Sequence, residues 1–124
     1  MRAPEPLSAL RVVAAAEVLD DLTLPDHHPM LRLAPDDLLV IGAASVQVVG
    51  EHLIVDETGF VGWWLTPDEV THAVLPHVDW PLPTARPALA QGLVAGVPAK
   101  LWLAEDRALL LCAAAYAHEL EERV

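Results

Sequence analysis

Two apolar runs, Met30-Leu-Arg-Leu33 and Leu38-Leu-Val-Ile41, stand on either side of Ala34-Pro35-Asp36-Asp37, and the second run stops at Gly42. A proline has no N–H to give to a ladder, and aspartates bond their own nearby backbone. This tetrapeptide therefore reverses the chain instead of extending it. Leu, Val and Ile in the arms suit a half-buried pleated surface. The pattern predicts an antiparallel hairpin with strands near 30–34 and 38–42. A two-stranded hairpin alone is marginal in water, so the rest of the chain has to supply strands or a helix to cover it.

Several segments are candidates. Ser45-Val-Gln-Val-Val49 alternates and halts at Gly50-Glu51, and His52-Leu-Ile-Val-Asp56 answers it as a strand. Phe60-Val-Gly-Trp-Trp-Leu65 resumes the pattern after Thr58-Gly59. Further on, 88–94 and 99–103 read as strands, and 108–112 returns after the polar turn Ala104-Glu-Asp-Arg107. Thr66-Pro-Asp-Glu69 is a helix start, with a capping hydroxyl, a proline in the first helical position and a glutamate that completes a capping box. Val70, Ala73, Val74 and His77 then recur at three and four, and Pro76 places the end near Leu75. Residues 116–124 read as a short closing amphipathic helix.

The first quarter fits two patterns. Leu7, Leu10, Val13 and Ala14 fall at helical spacing, which favours a helix, while Leu10-Arg-Val-Val13 also opens a strand. Residues 1–6 read as a flexible N-terminus, 23–29 as a proline-bearing loop, and 76–87, with four prolines, as an extended surface segment. Strands grouped between helices, without strict βαβ alternation, define the expected class. It is α+β: a single compact domain over 1–124 with a mostly antiparallel sheet and two or three helices.

Composition narrows the partners. At 124 residues the chain should bury about two-thirds of its unfolded surface. A hydrophobic fraction of 54% suggests apolar surface left over for a subunit interface. The net charge of −11, with no two basic residues adjacent, argues against nucleic acid and against an anionic membrane surface. No apolar stretch approaches the ~20 residues that span a bilayer. The opening Met1-Arg-Ala-Pro-Glu-Pro6 lacks the apolar region of a signal peptide. The single cysteine, Cys112, sits in the apolar run 108–115 and reads as a buried structural thiol, so a cytoplasmic protein is expected.

Catalytic patterns are sparse. Six histidines invite a metal site built on His27, His28, His72 and His77, with Asp26 and Asp79 as oxygen donors. His72 and His77 are five apart, however, and no helical i, i+4 pair or cysteine pair is present, so no metal is assigned. Asp36 and Asp37 are adjacent in a turn and do not face one another. The two serines, Ser8 and Ser45, lack a nucleophile elbow, and Gly92 and Gly96 lack the lysine and hydroxyl of a phosphate loop. Asp56, at the end of an apolar strand beside Glu57, is the carboxylate best placed to hold a ligand. Trp63 and Trp64 should point to opposite faces of one strand, leaving one in the core and one as an interface anchor. Trp80 joins them as an interface candidate, and Trp64 joins Asp56 and Glu57 as a ligand platform.

Taken in order, Leu31-Arg-Leu-Ala-Pro-Asp-Asp-Leu-Leu-Val-Ile41, Val55-Asp-Glu-Thr58, the helix at 67–75, Ala90-Gln-Gly-Leu-Val-Ala-Gly-Val-Pro-Ala-Lys-Leu-Trp102 and Tyr116-Ala-His-Glu-Leu120 resemble a known family. The chain is similar to the gamma subunit of heterotetrameric sarcosine oxidase, a relative of the folate-binding fold of the glycine-cleavage T-protein. The resemblance implies a T-protein-like fold and a subunit with no catalytic activity of its own, with no cofactor held by this chain. It also implies partners that are other protein subunits, among them flavin-dependent oxidase chains. A homo-oligomer is the other partner expectation. If a folate-type site survives, Asp56 would be its polar anchor, and a standalone folate-like binding domain is the alternative function.

Overall fold

The computed structural model describes residues 2–23 and 28–124. Most of the 23–29 loop, with Asp26 and His27, lies outside the described residues. The chain is α+β with antiparallel strand pairing throughout, and it divides into two compact units, residues 7–58 and residues 1–6 with 59–124. Its strands form two sheets, not the one sheet the sequence suggested.

The unit at 7–58 holds β2 (Ala9–Ala14), α1 (Ala16–Asp20), β3 (Met30–Ala34), β4 (Asp37–Ile41) and β5 (His52–Glu57). Its sheet runs β3-β4-β2-β5. The hairpin lies where the sequence placed it, with Leu31 opposite Leu39 and a bulge between Arg32 and Ala34. Gly42 ends it at φ +79, a conformation that suits glycine, and donates to the Ser8 carbonyl at 2.7 Å.

The helix favoured over 6–24 is corrected to a strand followed by the five-residue α1. Leu10, Val12 and Ala14 alternate into the core against Leu38, Val40 and Leu19, so period two wins over the helical spacing. The strand expected at 45–49 is also corrected. Its alternation is real in burial, with Val46 in the core and Gln47 exposed, but β2 already has β4 and β5 on its two sides. The segment lays Val46 and Val48 on the core face and joins neither ladder. Arg11 donates to both Asp37 carboxylate oxygens at 2.9 and 2.5 Å, which ties β2 to β4 on the other face and raises the guanidinium pKa.

The second unit contains β1 (Glu5–Pro6), β6 (Phe60–Leu65), α2 (residues 67–77), β7 (Ala88–Val94), β8 (Val97–Leu103), β9 (Ala108–Ala113) and α3 (Ala117–Arg123), with strand order β1-β6-β9-β8-β7. The N-terminus expected to be flexible is instead held: Glu5 pairs with Gly62 and Pro6 with Val61. One face of the sheet packs Trp63, Leu65, Val94, Leu101 and Leu110 against Val70 and Val74 of α2 and Leu120 of α3. Trp63 is 1% exposed, and its Nε1–H donates to the Arg2 carbonyl at 2.7 Å. Burying an indole removes 150–250 Å² from water, worth about 4–6 kcal/mol at the usual coefficient. That gain survives because the one polar atom is satisfied.

The capping box at the start of α2 is complete: Glu69 N–H donates to Thr66 Oγ1 at 3.2 Å and Thr66 N–H to Glu69 Oε1 at 3.0 Å. Beyond Pro67–Glu69 the helix widens to π geometry over Val70–Val74 and tightens to a 3-10 turn over Leu75–His77. Pro76 has no N–H to continue the α pattern. The Thr71 hydroxyl donates to the Pro67 carbonyl, and His72 Nδ1 sits 2.8 Å from that of Asp68. Side chains thus add bonds to first-turn carbonyls, that of Pro67 also accepting from the Val70 N–H.

Candidate interaction and ligand sites

The face of the five-stranded sheet opposite Trp63 carries a tryptophan pair that the register explains, Trp64 half-buried and Trp102 buried. Trp64 of β6 lies opposite Leu109 of β9, and Leu109 lies opposite Trp102 of β8. The two indoles are two strands apart and meet over Leu109 edge to face, with centroids 6.3 Å apart at 87°. Arg107 ends the turn before β9, where Ala104 N–H donates to its carbonyl at 2.9 Å. Its guanidinium carbon sits 4.6 Å from the Trp64 ring centre and 5.6 Å from that of Trp102. A guanidinium over an indole face is attracted by the ring quadrupole and loses little hydration in doing so.

Arg2 reaches Trp64 through the tryptophan's backbone. It donates to the Trp64 carbonyl and, at 3.2 Å, to Glu69 Oε2. Hydrogen bonding from the Thr66 amide, followed by the Arg2 charge, holds the Glu69 carboxyl below its ordinary value. Arg2, Trp64, Glu69, Asp106 and Arg107 line a depression of about 290 Å³. Two of the chain's seven cations therefore converge on one half-buried tryptophan. The pair Trp63 and Trp64 divides as alternation requires, with Trp63 buried on one face of β6 and Trp64 half-buried on the other.

Trp80 has a different task. It is half-buried against the core, its Nε1–H donates to the Leu93 carbonyl at 3.1 Å, and it lies on Gly92. A Cβ at Gly92 would stand 2.8 Å from the indole nitrogen. The ring thus closes the outer edge of β7, and the glycine is there for the ring's sake. This occupies one edge of Trp80 that a partner would need.

A second depression, about 420 Å³, opens on the sheet face between Phe60, Leu93, Pro98, Lys100, Leu111 and Tyr116. Lys100 Nζ lies 5.8 Å from the Phe60 ring centre and donates to Gln91 Oε1 at 3.0 Å. Cys112 also reaches this pocket's lining, but its thiol is 1% exposed and burial raises its pKa, which makes it a poor nucleophile.

The ligand set expected from the sequence is split. Asp56 and Glu57 stand on β5 of the 7–58 unit, Asp56 exposed and Glu57 half-buried, while Trp64 stands on β6 of the other. Among the described residues no group of three His, Cys, Asp or Glu side chains converges. His28 sits 3.2 Å from the Ile41 carbonyl, and His118 pairs with Glu122 at 3.1 Å. No helix among the described residues is long and apolar enough to cross a membrane.

Sequence reasoning missed Trp102 and Arg107 as partners of Trp64. The β8–β9 hairpin alone sets Trp102 opposite Leu109, which was readable from the turn at 104–107. The β6–β9 register joins residues 45 apart (109 − 64) and carries no local signal. Comparison with protein-family models, with curated proteins and with solved structures finds no match for this chain.

Proposed function

We propose that this chain is a non-catalytic assembly subunit of a sarcosine-oxidase-like, amine-oxidising complex in the cytoplasm, docking through the Trp64 face. The resemblance of residues 30–120 to the sarcosine oxidase gamma family, and with it a T-protein-like fold, supplies the kind of complex. The observation that carries the docking is the Arg107–Trp64–Trp102 stack, reinforced by Arg2. Tryptophan and arginine in a central, partly desolvated depression are the side chains that most often dominate binding energy between proteins. A second reading rests on the 420 Å³ pocket, where Phe60 and Tyr116 offer ring faces and Lys100 a cation. It would take a ring-bearing carboxylate of the folate class.

The test is affinity capture of the tagged full chain from its own cells, with Trp64→Ala and Arg107→Ala beside it. Co-purification of a flavin-dependent oxidase chain with the parent, and its loss in both variants, supports the subunit reading. Capture of no flavoprotein contradicts it. A rise in melting temperature with folate that Lys100→Ala abolishes favours the second reading, since a ligand bound only by the native state stabilises it.

A further inference from the structure

The four-stranded sheet ends at β5, which pairs with β2 on one side and, among the described residues, with no strand on the other. Its exposed face is apolar. Leu53 is 60% exposed and Val55 42%, and Val13, opposite Leu53 on β2, is 37% exposed. A row of unpaired N–H and C=O groups beside exposed Leu and Val is a template for another strand.

We infer that β5 pairs antiparallel with β5 of a second copy of this chain, about a two-fold axis through Ile54, joining two four-stranded sheets into one of eight strands. Such an axis stands perpendicular to the sheet and keeps each face on its own side. Residues that oppose one another must then share a face, so the register centres on a residue. Three centres fit the strand's middle. Centring on Val55 sets Leu53 against Glu57 and Ile54 against Asp56, apolar side chains against carboxylates. Centring on Leu53 sets Glu51 against Val55 and His52 against Ile54.

Centring on Ile54 sets Leu53 against Val55 twice, His52 against Asp56 twice, and Ile54 against itself. That register alone matches apolar with apolar and imidazole with carboxylate, and cross-strand pairs of these kinds stabilise sheets. His52 Nδ1 lies 2.7 Å from the Gly50 carbonyl, which leaves Nε2 for the partner carboxylate. Glu51 and Glu57 meet only at the rim, where water and salt screen them. The strand is self-complementary in the way an isologous contact requires. This pairing is separate from the Trp64 face and stands whether or not a flavoprotein binds there.

Sedimentation and crosslinking test it. The parent should sediment at twice 13.4 kDa, and Leu53→Lys at 13.4 kDa with the same circular dichroism. Register is read by disulfide formation under mild oxidation. An equimolar mixture of Leu53→Cys and Val55→Cys proteins should crosslink, whereas either alone should not, because each cysteine then opposes a different residue. The buried Cys112 gives the parent no such band. A parent that sediments at 13.4 kDa at every concentration overturns the dimer. Crosslinking by either single variant as fast as by the mixture overturns the register.

Discussion

The outer strands β7 and β5 end their sheets in opposite ways. β7 is closed. Trp80 lies on Gly92 and bonds the Leu93 carbonyl, the Ala95 N–H donates to the His77 carbonyl at 2.8 Å, and Arg123 of α3 donates to the Ala95 carbonyl at 3.0 Å. The proline-rich segment that delivers Trp80 cannot itself form a ladder, so it covers the edge without inviting another strand. Among the described residues nothing gives β5 such a cover, and it presents Leu53 and Val55. Open edges are normally blunted because they aggregate, so an uncovered β5 edge flanked by exposed Leu53 and Val55 fits a place where a strand adds.

Five substitutions test the closure of β7, and each should leave β5 unchanged. Trp80→Ala has the largest expected effect: a loss of roughly 3 kcal/mol, at the low end for tryptophan truncation because the ring is half-buried. Light scattering during thermal unfolding should also rise as the β7 edge loses its cover. Gly92→Val drives a side chain into the indole and should cost about 1–3 kcal/mol in a denaturant titration, with Trp80 fluorescence shifted toward water.

Thr66→Ala removes the cap of α2, whose last residue, His77, holds Ala95. A loss of about 1 kcal/mol is expected. The same cap gives a pH signature. The Glu69 carboxyl has a lower pKa folded than its ordinary 4.5, so its contribution is full above 4.5 and fades as pH falls through the lower folded value. Glu69→Gln should flatten that part of the acid limb in melting curves. The smallest effect is a gain. Ala95 sits at φ +50 in the two-residue turn before Gly96, a conformation that costs an L-residue about 1–2 kcal/mol. Ala95→Gly should raise the melting temperature by a few degrees.

The contrast between the two edges also separates what sequence reveals from what it hides. The hairpin around Pro35, the Thr66 capping box and the closing helix with Ala117, Leu120 and Val124 on one side were legible because each is decided within a few residues. Residues 9–14 were misread because Ala-rich spacing fits a helix until β4 and β5 supply ladders on both sides. Residues 45–49 alternate like a strand but use that alternation to cover the core with Val46 and Val48, outside either ladder. The Trp64 site needs a register set far along the chain. Gly92 showed no reason for being glycine until Trp80 lay on it. Whether a strand is an edge is a property of the whole sheet, so β5 read as an ordinary strand and its exposure was invisible.

Amide hydrogen exchange on the full chain, followed at low and high protein concentration, compares the two edges directly. β7 amides should be equally protected at both concentrations, because Trp80, His77 and Arg123 hold that edge within one chain. The outward amides of β5 should exchange fast when dilute and slow as concentration rises. Protection of β5 that does not change with concentration, at either a fast or a slow rate, would contradict the account of β5 as an edge waiting for a second copy.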